Sequence, residues 1–227
     1  MTKYTKHLTP DAISVFSSVF FRQIRLALSN KANILNSLFL FLLSLMIINF
    51  IISDKNIDVF RVFEILFIIY SVILSIDTVL VEDYKKGVLE QFLLSGVALE
   101  IFLLSKIVSS IIIYTILYIP ILFCVEIIEK GFSFQNQGYD LLLKFIIIFN
   151  IVINSIFASA FLLSHKHKIS QILISMIINL PTIIIYVICY KYKELYYLVL
   201  LVAMFLISFS VSMLLSSHII KISIEES

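Results

Sequence analysis

Residues Leu195–Leu215 read LYYLVLLVAMFLISFSVSMLL, twenty-one consecutive positions without a charged side chain. At about 1.5 Å of rise per residue such a run covers about 30 Å, the thickness of a bilayer's hydrocarbon core. Backbone N–H and C=O groups find no water there, and a helix satisfies them within its own segment. This stretch is therefore expected to cross a membrane. Five more runs of the same kind precede it: Ile34–Ile52, Ile65–Val81, Ile107–Val125, Phe145–Leu163 and Ile169–Tyr190. Lys191, Lys193 and Glu194 separate the last two and leave room only for a very short turn.

The composition agrees. Of 227 residues 61% are hydrophobic and 14% charged, with 20 Phe, 11 Tyr and no Trp, whereas soluble domains carry about 25% charged residues. Too few charges exist to cover a water-soluble body, which excludes a soluble enzyme, a nucleic-acid-binding domain and a disordered chain. A net charge of +2 calls for no polyanionic partner. Two cysteines in apolar runs give neither a disulfide framework nor a metal spacing. Met1–Pro10 is polar and lacks a short apolar core, so no removable signal peptide is expected. The fold class expected is an all-α integral membrane protein, a single transmembrane domain over residues 1–227.

Lys and Arg set the orientation. Eleven fall in the amino-terminal segment, the second and fourth connections and the tail, against six on the opposite side. Both termini are expected in the cytoplasm, or in the matrix if the membrane is mitochondrial. Most of what lies outside lipid on that side is then residues 1–33 and 82–106.

The first of these pieces opens on Thr9-Pro10-Asp11, a helix start with hydroxyl cap, proline and acid in order. Over about residues 10–30, a helical wheel places Ser14, Ser18, Arg22 and Arg25 in one polar stripe. Phe16, Phe20, Phe21, Ile24, Ala27 and Leu28 form a broad apolar arc. Such a helix is expected to lie in the headgroup plane, its arginines reaching phosphates or a partner. In the second piece Val88, Leu89, Phe92 and Leu93 form an apolar arc suited to lying beneath the bundle. Tyr84, Lys86, Glu90, Gln91 and Ser95 face the other way, with Leu94 among them. A solvated interfacial loop and a protein-docking helix both fit that pattern.

Within the spans, Asp77 is the ionisable residue of interest; near the water boundary its cost falls, and Lys85 or Lys86 could pair with it. Asn150 and Asn154, four apart beside small residues, read as interhelical amide contacts or as the lining of a path. Glu126 and Glu129 read as a solvated acidic rim on the outer side. His7, His165, His167 and His218 read as solvated or interfacial rather than haem ligands. No phosphate loop and no catalytic motif occurs, so no cofactor site and no enzymatic activity are expected in this chain.

The string Glu82-Asp83-Tyr84-x-x-Gly87-x-Leu89-Glu90-Gln91-x-Leu93-Leu94-Ser95, with Leu-Ser-Lys106 after it, resembles the cytochrome c maturation protein B family, or haem exporter protein B. Phe21-Arg22-Gln23-Ile24-Arg25-Leu26-Ala27-Leu28 looks like the amino-terminal motif of that family. Thr78 and Val81 stand where the family is expected to carry basic residues. The resemblance implies an ABC-type permease with six transmembrane helices, an amino-terminal interfacial helix and a cytoplasmic coupling helix between spans two and three. Glu82, Asp83, Tyr84, Gly87, Leu89, Glu90, Gln91 and Leu94 would then dock a separate ATPase that binds ATP. Haem would be the cargo, exported or released on a chaperone. A tryptophan-rich haem-handling membrane protein, a small single-span protein and a second copy of the chain would complete the complex, in an inner (plasma) or mitochondrial inner membrane. A permease of this architecture for a lipid or drug, or a non-transporting scaffold, is the competing reading.

Overall fold

The computed structural model describes residues 12–29, 31–51, 57–130, 134–164 and 169–225, and among them there is no strand. The described residues form eight helices in order: α1 Ala12–Ser29, α2 Lys31–Ile51, α3 Ile57–Lys85, α4 Val88–Leu94, α5 Leu99–Lys130, α6 Phe134–Ser164, α7 Ile169–Tyr192 and α8 Leu195–Glu225. Within the described residues four segments are long and apolar enough to cross a membrane: Leu99–Ile127, Gly138–Leu163, Leu173–Tyr192 and Leu195–Glu225. A fifth arises if Ala12–Ser29 and Ile34–Ile48, bent by 65°, count as one broken span, and Val62–Leu74 in α3 is a shorter apolar helix. The chain is a multi-helix membrane protein.

α6 is the central helix. It packs against α3, α5, α7 and α8, and Ile147, Ile148, Ile151, Val152 and Ile153 are fully buried in it. In lipid the gain on helix association comes from close packing and interhelical hydrogen bonds rather than from expelling water. Ala158, Ser159 and Ala160, also buried, let neighbouring backbones approach. α8 is largely peripheral, with Leu206, Ile207 and Leu214 outward. Pro120 and Pro181 lie inside α5 and α7, and both helices run on past them.

A polar tie joins α2, α3 and α5 at mid-height. The Ser71 hydroxyl donates to the Ser37 carbonyl at 2.7 Å and also meets the Tyr118 hydroxyl. Phe41 of α2 stands edge-on to the Tyr118 ring, centroids 5.2 Å apart. Between α7 and α8 only Lys193 and Glu194 intervene, and Lys193 takes φ 53° to make that turn. Its N–H donates to the Cys189 carbonyl at 2.9 Å.

Candidate functional site

α4 is a short rod between two left-handed glycines, Gly87 at φ 67° and Gly96 at φ 70°. Only a residue without Cβ takes that conformation at little cost, so each glycine lets the chain reverse direction within one turn. Gln91 N–H donates to the Gly87 carbonyl at 3.1 Å and Ser95 N–H to the Gln91 carbonyl at 3.0 Å, closing both ends. One side of the rod is spent on the bundle. Leu89 is fully buried, and Phe92 tilts onto Phe102 of α5 with ring centroids 4.7 Å apart.

The other side is open. Leu94 is 88% exposed, and Glu90, Gln91 and Ser95 stand exposed beside it. A large apolar side chain held outward amid polar neighbours is a feature of contact surfaces. Glu82 binds Lys86 at 2.9 Å, one turn apart on the same stretch. The Asp77 side chain itself lies outside the described residues. Tyr84 is half-buried and donates its hydroxyl to the Ser223 carbonyl near the end of α8, at 3.4 Å.

Asp83 and Leu89, read from sequence as part of the docking set, both face inward. Asp83, 2% exposed, accepts from the Arg22 guanidinium of α1 at 2.8 Å and pairs through its other oxygen with the Lys106 ammonium of α5. Lys106 is 1% exposed. Burial alone would push the Asp83 carboxyl up, but the Lys106 charge and the hydrogen bonds from Arg22 and Lys106 outweigh it and hold it below the usual value. The Arg22 side chain thus reaches a protein carboxylate sixty-one residues away rather than a lipid phosphate.

That contact gives α1 three faces instead of the two read from the wheel. Val19 and Gln23 are buried, on a helix that packs against α5 and accepts a 3.0 Å hydrogen bond from the Ser105 hydroxyl at the Phe16 carbonyl. Phe21, Leu28 and Ile13 are strongly exposed and apolar. Ser14, Ser18 and Arg25 are exposed and polar. The helix start expected at Thr9-Pro10-Asp11 lies outside the described residues.

A further expectation changes. Glu126, read as part of a solvated rim, is fully buried and stands 3.1 Å from the Lys144 ammonium of α6. The same ammonium donates to Glu64 of α3 at 2.8 Å. Charges at span ends are usually solvated, and here three helices instead bury theirs together. The Glu129 side chain, like those of His7, His165 and His167, lies outside the described residues.

Asn154 donates to the Asn179 side-chain oxygen of α7 at 2.9 Å, and Asn179 donates to the Ser175 carbonyl at 2.8 Å. Asn150 instead donates to the Ile146 carbonyl within its own helix, at 3.2 Å. The interhelical amide reading therefore holds for Asn154. Sequence reasoning missed Asn179, whose signal was its spacing of four from Ser175 inside an apolar run, and it quoted Lys106 as the end of a motif without finding its carboxylate partner.

Residues 14–223, nearly the whole chain, match the model of the family described as CcmB protein. No curated protein matches the chain.

Proposed function

The chain belongs to the CcmB protein family, and from that premise we propose that α4 is the coupling helix through which a separate ATPase drives this membrane subunit. Family membership makes the chain a component of the haem-export ABC system for cytochrome c maturation, working with an ATPase partner. The observation that carries the docking reading is Leu94, 88% exposed on a rod whose opposite side is anchored by fully buried Leu89. A groove on the ATPase would take Leu94 as its apolar knob, with Glu90 and Gln91 supplying polar register around it. Glu82, Tyr84 and Gly87 set the position of the rod rather than the contact, and Asp83 works from beneath.

The same reading makes this chain the permease, without ATP hydrolysis of its own, and gives it six spans. Supporting this, Glu64 and Asp83 lie nineteen residues apart on α3, about 29 Å of helix. Lys106 and Glu126 lie twenty apart on α5, about 30 Å. Both helices therefore carry their buried charges one hydrocarbon thickness apart, as two spans with polar groups at either boundary do. The excess of Lys and Arg supports a cytoplasmic side for α4 and both termini. The 65° bend between α1 and the helix after it suits an interfacial α1 followed by a first span. A second copy of the chain, a tryptophan-rich haem-handling protein and a small single-span protein complete the assembly.

The test is co-purification. Leu94→Asp, or Glu90→Lys, should leave insertion intact and strongly reduce the ATPase recovered with the tagged chain. Undiminished recovery in both variants would discard α4 as the docking element.

A further inference from the structure

Asp83 of α3 ties α1 to α5, and α4 packs on α5 beside it. Starting from the outer rod, Phe92 of α4 rests on Phe102 of α5. Lys106, one turn further along α5, holds its ammonium 5.3 Å above that same Phe102 ring. Lys106 pairs with Asp83 at the end of α3, and Asp83 takes the Arg22 guanidinium of α1 at 2.8 Å. Ser105, next to Lys106, is hydrogen-bonded to the α1 backbone at Phe16. A continuous line of contacts therefore runs from α4 through α5 and α3 to α1.

The glycines make that line consequential. With left-handed turns at Gly87 and Gly96, α4 joined to the bundle by its backbone alone could rock without moving its neighbours. The aromatic contact and the charge cluster remove that freedom. Separating the two buried members, Asp83 and Lys106, would break an ion pair in a low-dielectric setting, so helices that share the cluster keep it by moving together. A helix serving only as a lipid anchor has no need of an arginine committed to the terminus of a distant span.

We propose that Asp83 is a positioning residue that passes displacement of α4 to α1, so that α1, the end of α3 and the start of α5 move as one body in the ATPase cycle. The proposal rests on the reading of α4 as the docking helix. Under it α1 is a moving part, its apolar outer face sliding along the lipid surface while Arg22 is held from within.

The experiment uses the complete complex with its ATPase, in a chain carrying Cys124→Ser and Cys189→Ser. Spin labels go on Ser18 of α1 and His218 of α8, both exposed. Trapping nucleotide should change their separation on the order of 2 Å, the scale of helix shifts in switching proteins. Asp83→Asn should abolish that change while the nucleotide-free distance and the amount of bound ATPase stay as in the wild type. Asp83→Glu, which keeps the charge, should restore the change. In cells Asp83→Asn should lower holocytochrome c formation about tenfold per molecule of accumulated chain, with Asp83→Glu restoring it. An α1 that stays fixed in the wild type when nucleotide is trapped overturns the proposal, as does a full displacement in Asp83→Asn. If the Asn variant fails to accumulate, Arg22→Gln, which breaks the same link from its part-exposed side, should abolish the change, and a full displacement there overturns the proposal. ATPase retained by Leu94→Asp sinks the docking reading separately, whereas a static α1 with ATPase bound sinks only this proposal.

Discussion

Lys144 of α6 donates to Glu64 of α3 across 2.8 Å, with both side chains shut off from the surroundings. Glu126 of α5 shares the same ammonium at 3.1 Å. One cation thus serves carboxylates on two helices, and α6 sits between them as the element that packs against both. Asp83 does the reverse at the other end of α3, where one carboxylate serves cations on α1 and α5. In each cluster the shared group is the one whose loss breaks two ion pairs at once.

Lys144→Met should therefore destabilise the chain more than Glu126→Gln. The first leaves two buried carboxylates without their shared cation and should cost about 3–5 kcal/mol, the range for breaking a buried pair. The second leaves Lys144 bonded to Glu64 and should cost clearly less. Thermal unfolding in detergent, followed by the loss of monodisperse protein, ranks them. Equal losses would mean that Lys144 is not the organising partner.

Asn154 and Asn179 should behave as a pair. Hydrogen bonds between membrane helices average about 0.6 kcal/mol and rarely exceed about 1.7 kcal/mol in mutant cycles. Asn154→Ala and Asn179→Ala should each destabilise by roughly that much, and the double variant by less than their sum. Full additivity in the cycle would show that the 2.9 Å contact contributes nothing of its own.

What the sequence made legible follows from length scales. A charge-free run of about twenty residues has few soluble alternatives, so the helical membrane class could be read from Leu195–Leu215 alone. α4 was readable because Val88, Leu89, Phe92 and Leu93 recur at helical spacing. A helical wheel, however, gives periodicity and not what covers each face. It could not separate Val19 and Gln23, which are buried, from Phe21 and Leu28, which stay outside. The buried charges were hidden for a different reason. Glu64 and Lys144 are eighty residues apart, and each borders a run read from sequence as a span, where a solvated charge is the ordinary expectation. Their meeting is a property of helix packing, which no local pattern encodes.

The turn at Gly87 gives a prediction about conformation rather than contact. A Cβ there would meet only Glu90 Oε2, at 3.9 Å, so space is not the obstacle. The φ of 67° is, since left-handed backbone costs most non-glycine residues about 1–2 kcal/mol while Asn tolerates it better. Gly87→Val should then misalign α4 and lower ATPase recovery, while Gly87→Asn should retain most of it. Indistinguishable recovery of the two would remove backbone conformation as the cause.

Arg22 and Arg25, three residues apart on α1, should separate in their effects and in their response to acid. Arg22 holds Asp83, whereas Arg25 is exposed with no such partner described. Arg22→Ala should cost about 1–2 kcal/mol, a charged hydrogen bond discounted for the part-exposed guanidinium, and Arg25→Ala much less. The Asp83 carboxyl is held below its ordinary value in the folded chain, so over that interval the unfolded chain binds the extra proton. Its stabilising contribution is therefore complete above the unfolded carboxylate pKa of about 3.9 and is lost as pH falls through the lower folded value. Removing Arg22 takes away one of the two cations that depress it, which raises the folded value and brings the loss at higher pH. Melting temperatures taken in detergent down an acid series should show the Arg22→Ala curve bending earlier than wild type, with Arg25→Ala tracking wild type. Superimposable curves for all three would show that Asp83 does not depend on Arg22 for its charge.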